Sequence, residues 1–312
     1  MDSGEPRDDL LLPTMSQVLV GADVGGSKTA VAVERAGAVV ARAAGPGAAV
    51  RPGRALQSAA TVAEVVRRAL AEAGELRAAV LVVGAAGAGR QPEQSELERA
   101  LRGEQIAERV VVVTDIEIAL VAAFGDAPGI VVSAGTGSIA VGRDKNGALK
   151  RMGGYGWQMG DEGSGYAVGR AALLAVGRAQ DGRGPATTLS KSLPAHPPAK
   201  SFEELVRWSG AAEPGEIAAL APLVFAAAAA GDAAATEIVE GAAEDLAGLV
   251  ASLTGLFPGR GRVEVALAGG NLAPDRGLRA AVLTRLAKLT RVHAREAPLD
   301  PAEGALALAR RQ

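Results

Sequence analysis

The chain has 312 residues, 48% of them apolar but only 3% aromatic, and a net charge of −2. That length allows one large or two medium domains with cores built from Ala, Val and Leu, and the near-balanced charge gives no electrostatic case for nucleic acid or an anionic membrane. The absence of cysteine excludes disulfides, thiolate metal sites and iron–sulfur clusters, and fits a reducing, cytoplasmic compartment. No run of about 18 apolar residues occurs, so no membrane span is expected. Residues 1–15 read as a disordered extension, and Leu10–Leu12 is too short an apolar stretch for a signal peptide.

Val18–Val20 predicts a buried strand, Thr29–Val33 a second, and Ala38–Ala43 a third after a turn at Ala36-Gly37. Between the first two lies DVGGSKT, with Asp23, Gly25, Gly26, Ser27, Lys28 and Thr29. It nearly imitates a Walker A loop, but Ser27 precedes Lys28 and a strand follows instead of a helix, so that reading fails. Asp23, at the strand end, can hold Mg²⁺ through water or be a turn residue. Leu56–Ala73 has helical spacing and ends at Gly74. Ala79–Val83 is the next strand, and the GAAGAGR loop after it, with Gly87, suits a cleft wall or a tight turn. Glu93–Leu101 reads as a helix and Val110–Val113, continuously apolar, as a central strand. Thr114-Asp115 then leads into a helix over Ile116–Phe124. Asp115 can be a general base, an N-cap or both, since capping fixes a carboxylate; Glu117 falls on a solvated helix face.

Ile130–Val132 is another strand, followed by the hydroxyl-bearing turn Gly135, Thr136, Gly137, Ser138 and a hairpin at Lys145-Asn146-Gly147, where both Asn and Gly tolerate positive φ. The loop GGYGWQMGDEGSG follows, with Gly153, Gly154, Trp157 and Asp161. It can supply sugar-type contacts or cap the helix expected over Glu162–Val176. Asp181–Lys200 reads as a flexible, lid-like loop holding His196. Ser201 and Glu204 form a capping box before Leu205–Ser209. Ile217–Ala230 and Ala233–Leu256 are two Ala-rich helices, and Val263–Ala268 is a strand. Gly269-Gly270-Asn271 can admit a flat ring against backbone or form a plain αL turn. Leu278–Leu289 is a helix, Arg291–His293 an edge strand, and Pro301–Arg310 a last helix with Pro in its first turn.

Val18–Val33 and Ser133 onward share one plan: strand, Gly/Ser/Thr turn, strand. Two such hairpins suggest a duplicated fold with a nucleotide held between the halves. On GADVGGSKT, GTGS and above all GWQMGDEGS, the chain resembles the N-acetylglucosamine kinase and BadF/BadG/BcrA/BcrD-type ATPase family of the actin-like sugar kinase superfamily. The resemblance implies an α/β, two-domain actin-like ATPase fold of ribonuclease H-like repeats, with mixed sheets flanked by helices. Residues 16–117 would form the N-terminal domain, with 298–312 packing back on it, and 118–297 the C-terminal domain. It implies ATP and Mg²⁺: phosphates at Gly25, Gly26, Ser27, Lys28, Thr29 and at Gly135–Ser138, adenosine at Gly269, Gly270 and Asn271, and the metal at Asp23. Asp115 would be the base, with Gly87, Gly153, Gly154, Trp157, Asp161 and Asp115 around the sugar.

The implied activity is that of an ATP-dependent amino-sugar kinase acting on N-acetylglucosamine or a relative such as glucosamine, in a cytoplasmic homodimer. Members of that group carry Asn after the first-domain Gly-Pro loop and directly after GTGS. Here Ala48, Ala49 and Ile139 stand in those regions, which leaves the sugar open, a muramic derivative included. The absence of cysteine separates the chain from zinc-bearing ROK kinases and from cluster-bearing dehydratase activators. The competing reading is a non-catalytic or regulatory ATP-binding sugar sensor, against which Asp115 argues; a filament protein would form nucleotide-dependent polymers.

Overall fold

Runs of Val and Ala fold into two sheets of the same plan in a computed structural model that describes residues 17–195, 199–259 and 261–312. In the first, β1 (Val18–Val24), β2 (Lys28–Arg35) and β3 (Ala38–Pro46) form an antiparallel meander. Helix α1 (Ala55–Glu72) leads to β4 (Ala78–Ala85), and α2 (Gln91–Gly103) to β5 (Ala107–Thr114). The strand order is β3-β2-β1-β4-β5, with β1, β4 and β5 parallel. Helix α3 (Asp115–Phe124) opens the second half, followed by β6 (Gly129–Ala134), β7 (Ser138–Arg143) and β8 (Leu149–Gly153). Next come α4 (Gly165–Gln180), α5 (Leu189–Ser192), α6 (Phe202–Ala211), α7 (Pro214–Ala218), α8 (Ala221–Ala229) and α9 (Ala233–Gly255). The chain closes with β9 (Val263–Ala268), a 3₁₀ turn at Gly270–Leu272, α10 (Gly277–Leu286), β10 (Val292–Ala294) and α11 (Pro301–Ala309). The second sheet, β10-β9-β6-β7-β8, repeats the order and strand directions of the first. No single helix among the described residues is long and apolar enough to cross a membrane.

Helix α1 buries Val62, Ala63, Val66, Ala69 and Leu70 on one face of the first sheet. The opposite face takes α11, whose Ala302, Ala305 and Leu306 pack on Leu19, Val80 and Val82. The last helix therefore returns to the first sheet. Its approach is close: a Cβ on Gly21 would stand 2.4 Å from the Ala302 carbonyl. Helix α3 belongs to both halves, with Ile118 in the α11 cluster and Ile116, Leu120 and Phe124 against Val131 and Val141.

Several local expectations are corrected. β5 is an edge strand, not a central one. Val110 and Val112 face the α1–α2 core while Val111 and Val113 pack toward α11, so its apolar run reports two covered faces. The expected helix Ile217–Ala230 is two, α7 and α8, because Pro222 lies in the first turn of α8. α4 starts at Gly165 rather than Glu162, where the Ser164 hydroxyl accepts from Ala167 N at 3.1 Å. In the β7–β8 hairpin only Gly147 has positive φ; the Asp144 carboxylate accepts from Asn146 N and Ala148 N and closes the loop. Ser201 caps α6, but the Glu204 carboxylate accepts from Lys200 N, one residue short of a closed box. Of the 181–200 segment, the described stretch 181–195 holds α5 and is pinned: the Asp232 carboxylate accepts from Thr188 N at 2.6 Å and from the Thr187 and Thr188 hydroxyls. His196 and residues 1–15 lie outside the described residues.

Candidate active site

The parallel strands of the first sheet end together. Register pairs Asp23 with Gly84, Val24 with Ala85, and Ala85 with Thr114, so Asp23 and Asp115 stand at the carboxyl edge on strands separated only by β4, where open α/β sheets place ligands. Asp115 is the first residue of α3, not its cap. Thr114 is the cap: its hydroxyl accepts from Glu117 N at 3.2 Å, and Glu117 Oε2 accepts from Thr114 N at 2.9 Å. Glu117 is thus half-buried in a capping box rather than solvated, and T-D-I-E carried the sequence signal for it.

Both aspartates are perturbed by their surroundings. Burial, then the charges of Asp115 and Asp300, push Asp23 up to about 7 against the pull of Lys28. Burial raises Asp115, partly offset by the bond it accepts from Ile116 N at 3.0 Å, while the Glu117 charge raises it further. A divalent cation fits here: it would relieve the carboxylate repulsion seen at Asp23, and Mg²⁺ needs only one or two carboxylates plus phosphate oxygens and water. Among the described residues no group of three or more His, Asp or Glu could hold a metal alone.

The two glycine turns face each other, since a Cβ on Gly26 would stand 2.9 Å from Thr136 Oγ1. Gly26, Ser27 and Lys28 are exposed at this edge. Two of the expected phosphate hydroxyls are taken elsewhere. Thr29 is fully buried and donates to the Pro46 carbonyl at 2.8 Å. Ser138, also buried, donates to the Glu162 carbonyl at 2.7 Å. Thr136 keeps its place at the facing turn.

The GAAGAGR loop, read from sequence as a cleft wall or a tight turn, meets the segment after the Gly45-Pro46-Gly47 loop, a contact that the sequence reading did not foresee. Ala48 N and Ala49 N donate to the Gly25 carbonyl and Val50 N to the Ala86 carbonyl. Gly87, at φ +87°, lies so near that a Cβ would stand 2.1 Å from the Val50 carbonyl. Ala48, Val50 and Ala88 are buried in this contact, Ala49 and Ala86 half-buried and Gly87 exposed, and the two loops lead into Arg51 and Arg90. Arg51 reaches Glu213 at the start of α7, in the opposite half, at 3.0 Å. No local pattern signals this cross-chain approach.

The GGYGWQMGDEGSG loop lies against the second turn. Asp161, at φ +61°, accepts from Ser138 N at 3.4 Å, and its carboxylate is where a Cβ on Gly137 would fall. Burial raises Asp161 while the Ser138 and Gly156 backbone lowers it. Trp157 is 46% exposed, its ring 5.4 Å from Tyr166. Gly153 and Gly154 are packed on Leu249 and Ile139 at the end of β8, so they shape the turn. Gly269, at φ +88°, presses on Ala134, where a Cβ would stand 2.4 Å from the carbonyl oxygen, whereas Gly270 borders open space. Asn271 Nδ2 donates to the Gly135 carbonyl at 2.8 Å. Beyond this turn a cavity of about 530 Å³ lies between α8, α9 and α10, lined by Phe225, Val239, Glu240, Arg276 and Ala280.

Two sheets of one topology, with paired glycine turns meeting between them, define the actin-like ATPase fold. The chain belongs to the BadF/BadG/BcrA/BcrD ATPase family, whose model matches residues 20–309. It is 36% identical over 188 residues to an N-acetylmuramic acid/N-acetylglucosamine kinase of Clostridium acetobutylicum, covering 59% of this chain and 61% of that protein. It is 36% identical over 130 residues to an N-acetyl-D-glucosamine kinase of Dictyostelium discoideum, 40% of each chain. The chain thus spans less than two thirds of both curated relatives. A Chromobacterium violaceum crystal structure, provisionally assigned as an N-acetylglucosamine kinase, superposes with a TM-score of 0.78 at 29% identity over 95% of this chain and 99% of that one.

Proposed function

We propose that this protein is an ATP-dependent kinase of amino sugars, transferring the γ-phosphoryl group to a hydroxyl of N-acetylglucosamine or a relative such as glucosamine. The observation that carries this reading is Asp115, fixed at the first turn of α3 beside Asp23, with the Gly26 and Thr136 turns facing each other. Phosphoryl transfer needs positioning and charge stabilisation above all. Gly25, Gly26, Ser27 and Lys28 on one side, and Gly135, Thr136 and Gly137 on the other, hold the phosphates. The purine lies by Gly270, toward the α8–α10 cavity. Asp23 would hold Mg²⁺, which would neutralise phosphate charge when bound. Asp115 accepts the proton as the sugar oxygen attacks the γ-phosphorus, the bond to the β-phosphate oxygen breaks, and ADP leaves. Its raised pKa favours that acceptance.

Gly87, Trp157 and Asp161 border the sugar, with Gly153 and Gly154 shaping the turn that precedes them. The wall formed by Ala49 and Gly87 offers no neutral polar side chain but leads into Arg51, which would admit a carboxylate-bearing sugar if it exchanged its Glu213 partner for the sugar carboxylate. The same reading divides the chain into domains 16–117, closed by 298–312, and 118–297. It takes the working unit as a cytoplasmic homodimer, which sedimentation tests. The decisive experiment is coupled ADP release with Mg²⁺ across glucose, glucosamine, N-acetylglucosamine and N-acetylmuramic acid. Turnover with an amino sugar well above glucose supports the reading. ATP binding without turnover on any sugar replaces it with the sensor.

A further inference from the structure

The turn that faces Gly26 is held by one acceptor shared among three segments. The Gly135 carbonyl accepts from Asn271 Nδ2 at 2.8 Å and from Gly165 N at 2.8 Å, so both lone pairs are occupied. Its neighbour follows suit: the Thr136 carbonyl accepts from Tyr166 N at 3.2 Å. Nothing separates the two donors, because a Cβ on Gly165 would stand 2.7 Å from Asn271 Nδ2 and 2.9 Å from the Gly135 oxygen. Gly165 starts α4, directly after the loop bearing Asp161. Asn271 lies inside the turn that Leu272 N closes on the Gly269 carbonyl, and Gly269 presses on Ala134.

We infer that Asn271 is a positioning residue, locking the phosphate turn, the purine-side turn and the sugar-side loop into one unit through the Gly135 carbonyl. This goes beyond the kinase reading but rests on it for the identity of the two ligands. Its amide donates to the protein's own Gly135 carbonyl. Without that bond the Gly135 carbonyl keeps Gly165 N as its one partner and the peptide is held less firmly. That loosening reaches Thr136 on the phosphate side and, through Gly165 N and Tyr166 N, the first turn of α4 on the sugar side together. A residue touching only nucleotide would disturb only the first.

The test is Asn271→Leu, which keeps about the same size, removes the donor and adds no charge. We expect KM for both ATP and the sugar to rise about fivefold or more, the scale of one lost hydrogen bond. Amide exchange should quicken in 135–138 and 165–167 together, with the melting temperature within about 5 °C of wild type. Gly165→Ala, which pushes on Asn271 from the other side, should give the same paired loss. A rise in ATP KM alone, with 165–167 unchanged, makes Asn271 a nucleotide contact and overturns the inference. A larger fall in melting temperature that accounts for both losses makes it merely structural, and no change at all also overturns it. If wild type turns over no sugar, the kinase reading fails separately, while exchange in the two segments still decides the role of Asn271.

Discussion

Asp115 and Asp23 are both carboxylates on a strand edge, yet the fold asks different things of them. Asp115→Asn keeps the shape but cannot take a proton, so turnover should drop about 10²–10⁴-fold while ATP still binds in calorimetry. Glu117→Gln should leave turnover within a few-fold and lower stability by no more than about 1 kcal/mol, because Glu117 closes the Thr114 capping box. Near-normal turnover in the first variant and none in the second would move the base to Glu117. Asp23 makes a different prediction. Its pKa rises from 3.8 to about 7 on folding, first through burial. Its contribution to stability is then fully present below about pH 4 and is lost as pH climbs to 7. Wild type should therefore lose melting temperature relative to Asp23→Asn over that window in the absence of ligand. A constant difference between the two would refute the raised pKa.

At the scale of elements, the expected lid is anchored by one residue. Asp232 caps α9 through Ala235 N and also holds Thr187 and Thr188, bonds that lower its pKa to about 2 despite some burial. This contribution is present above about pH 4 and fades as pH falls toward 2. Asp232→Ala should cost about 1–2 kcal/mol in urea unfolding and speed proteolysis within 181–195; resistance equal to wild type would show that the pin is unimportant. The Gly269–Asn271 turn separates two roles. Gly270→Leu points into open space and should weaken ATP binding with folding intact, whereas Gly269→Ala collides with Ala134 and should destabilise the protein. Unchanged ATP affinity in Gly270→Leu would remove the purine from this turn. Most elements were legible in the chain because their signals are local, such as Gly74 after α1 and Pro301 in the first turn of α11. Pro222 at α8 and T-x-x-E at α3 are equally local, and passing over them merged α7 with α8 and left Glu117 on a solvated face. β5 was misplaced at the sheet centre because an edge strand between two helical layers is as apolar as a central one.

Across the whole molecule, the two halves meet at α3, at the facing glycine turns and at Arg51–Glu213. That ion pair is exposed on both sides and so contributes little by itself, which suits a contact that forms and breaks as the cleft moves. Sugar binding should compact the protein in small-angle scattering, as closure excludes water from the transferring phosphoryl group; an unchanged radius of gyration would count against closure. The sequence by itself determined the repeat of strand, glycine turn and strand, the existence of a final helix, and the carboxylates worth testing. Each depends on alternation, on glycine or on capping residues within a few positions of one another, whereas the return of that helix to the first sheet was implied only by the family resemblance. Only the tertiary structure decided which hydroxyls reach the cleft, because the carbonyls that take Thr29 and Ser138 lie 17 and 24 residues away. Strand order likewise made Asp23 and Asp115 close neighbours and set Ala48–Val50 against Gly25 and Ala86. Those choices are made by packing between segments distant in the chain, where no local pattern can carry them.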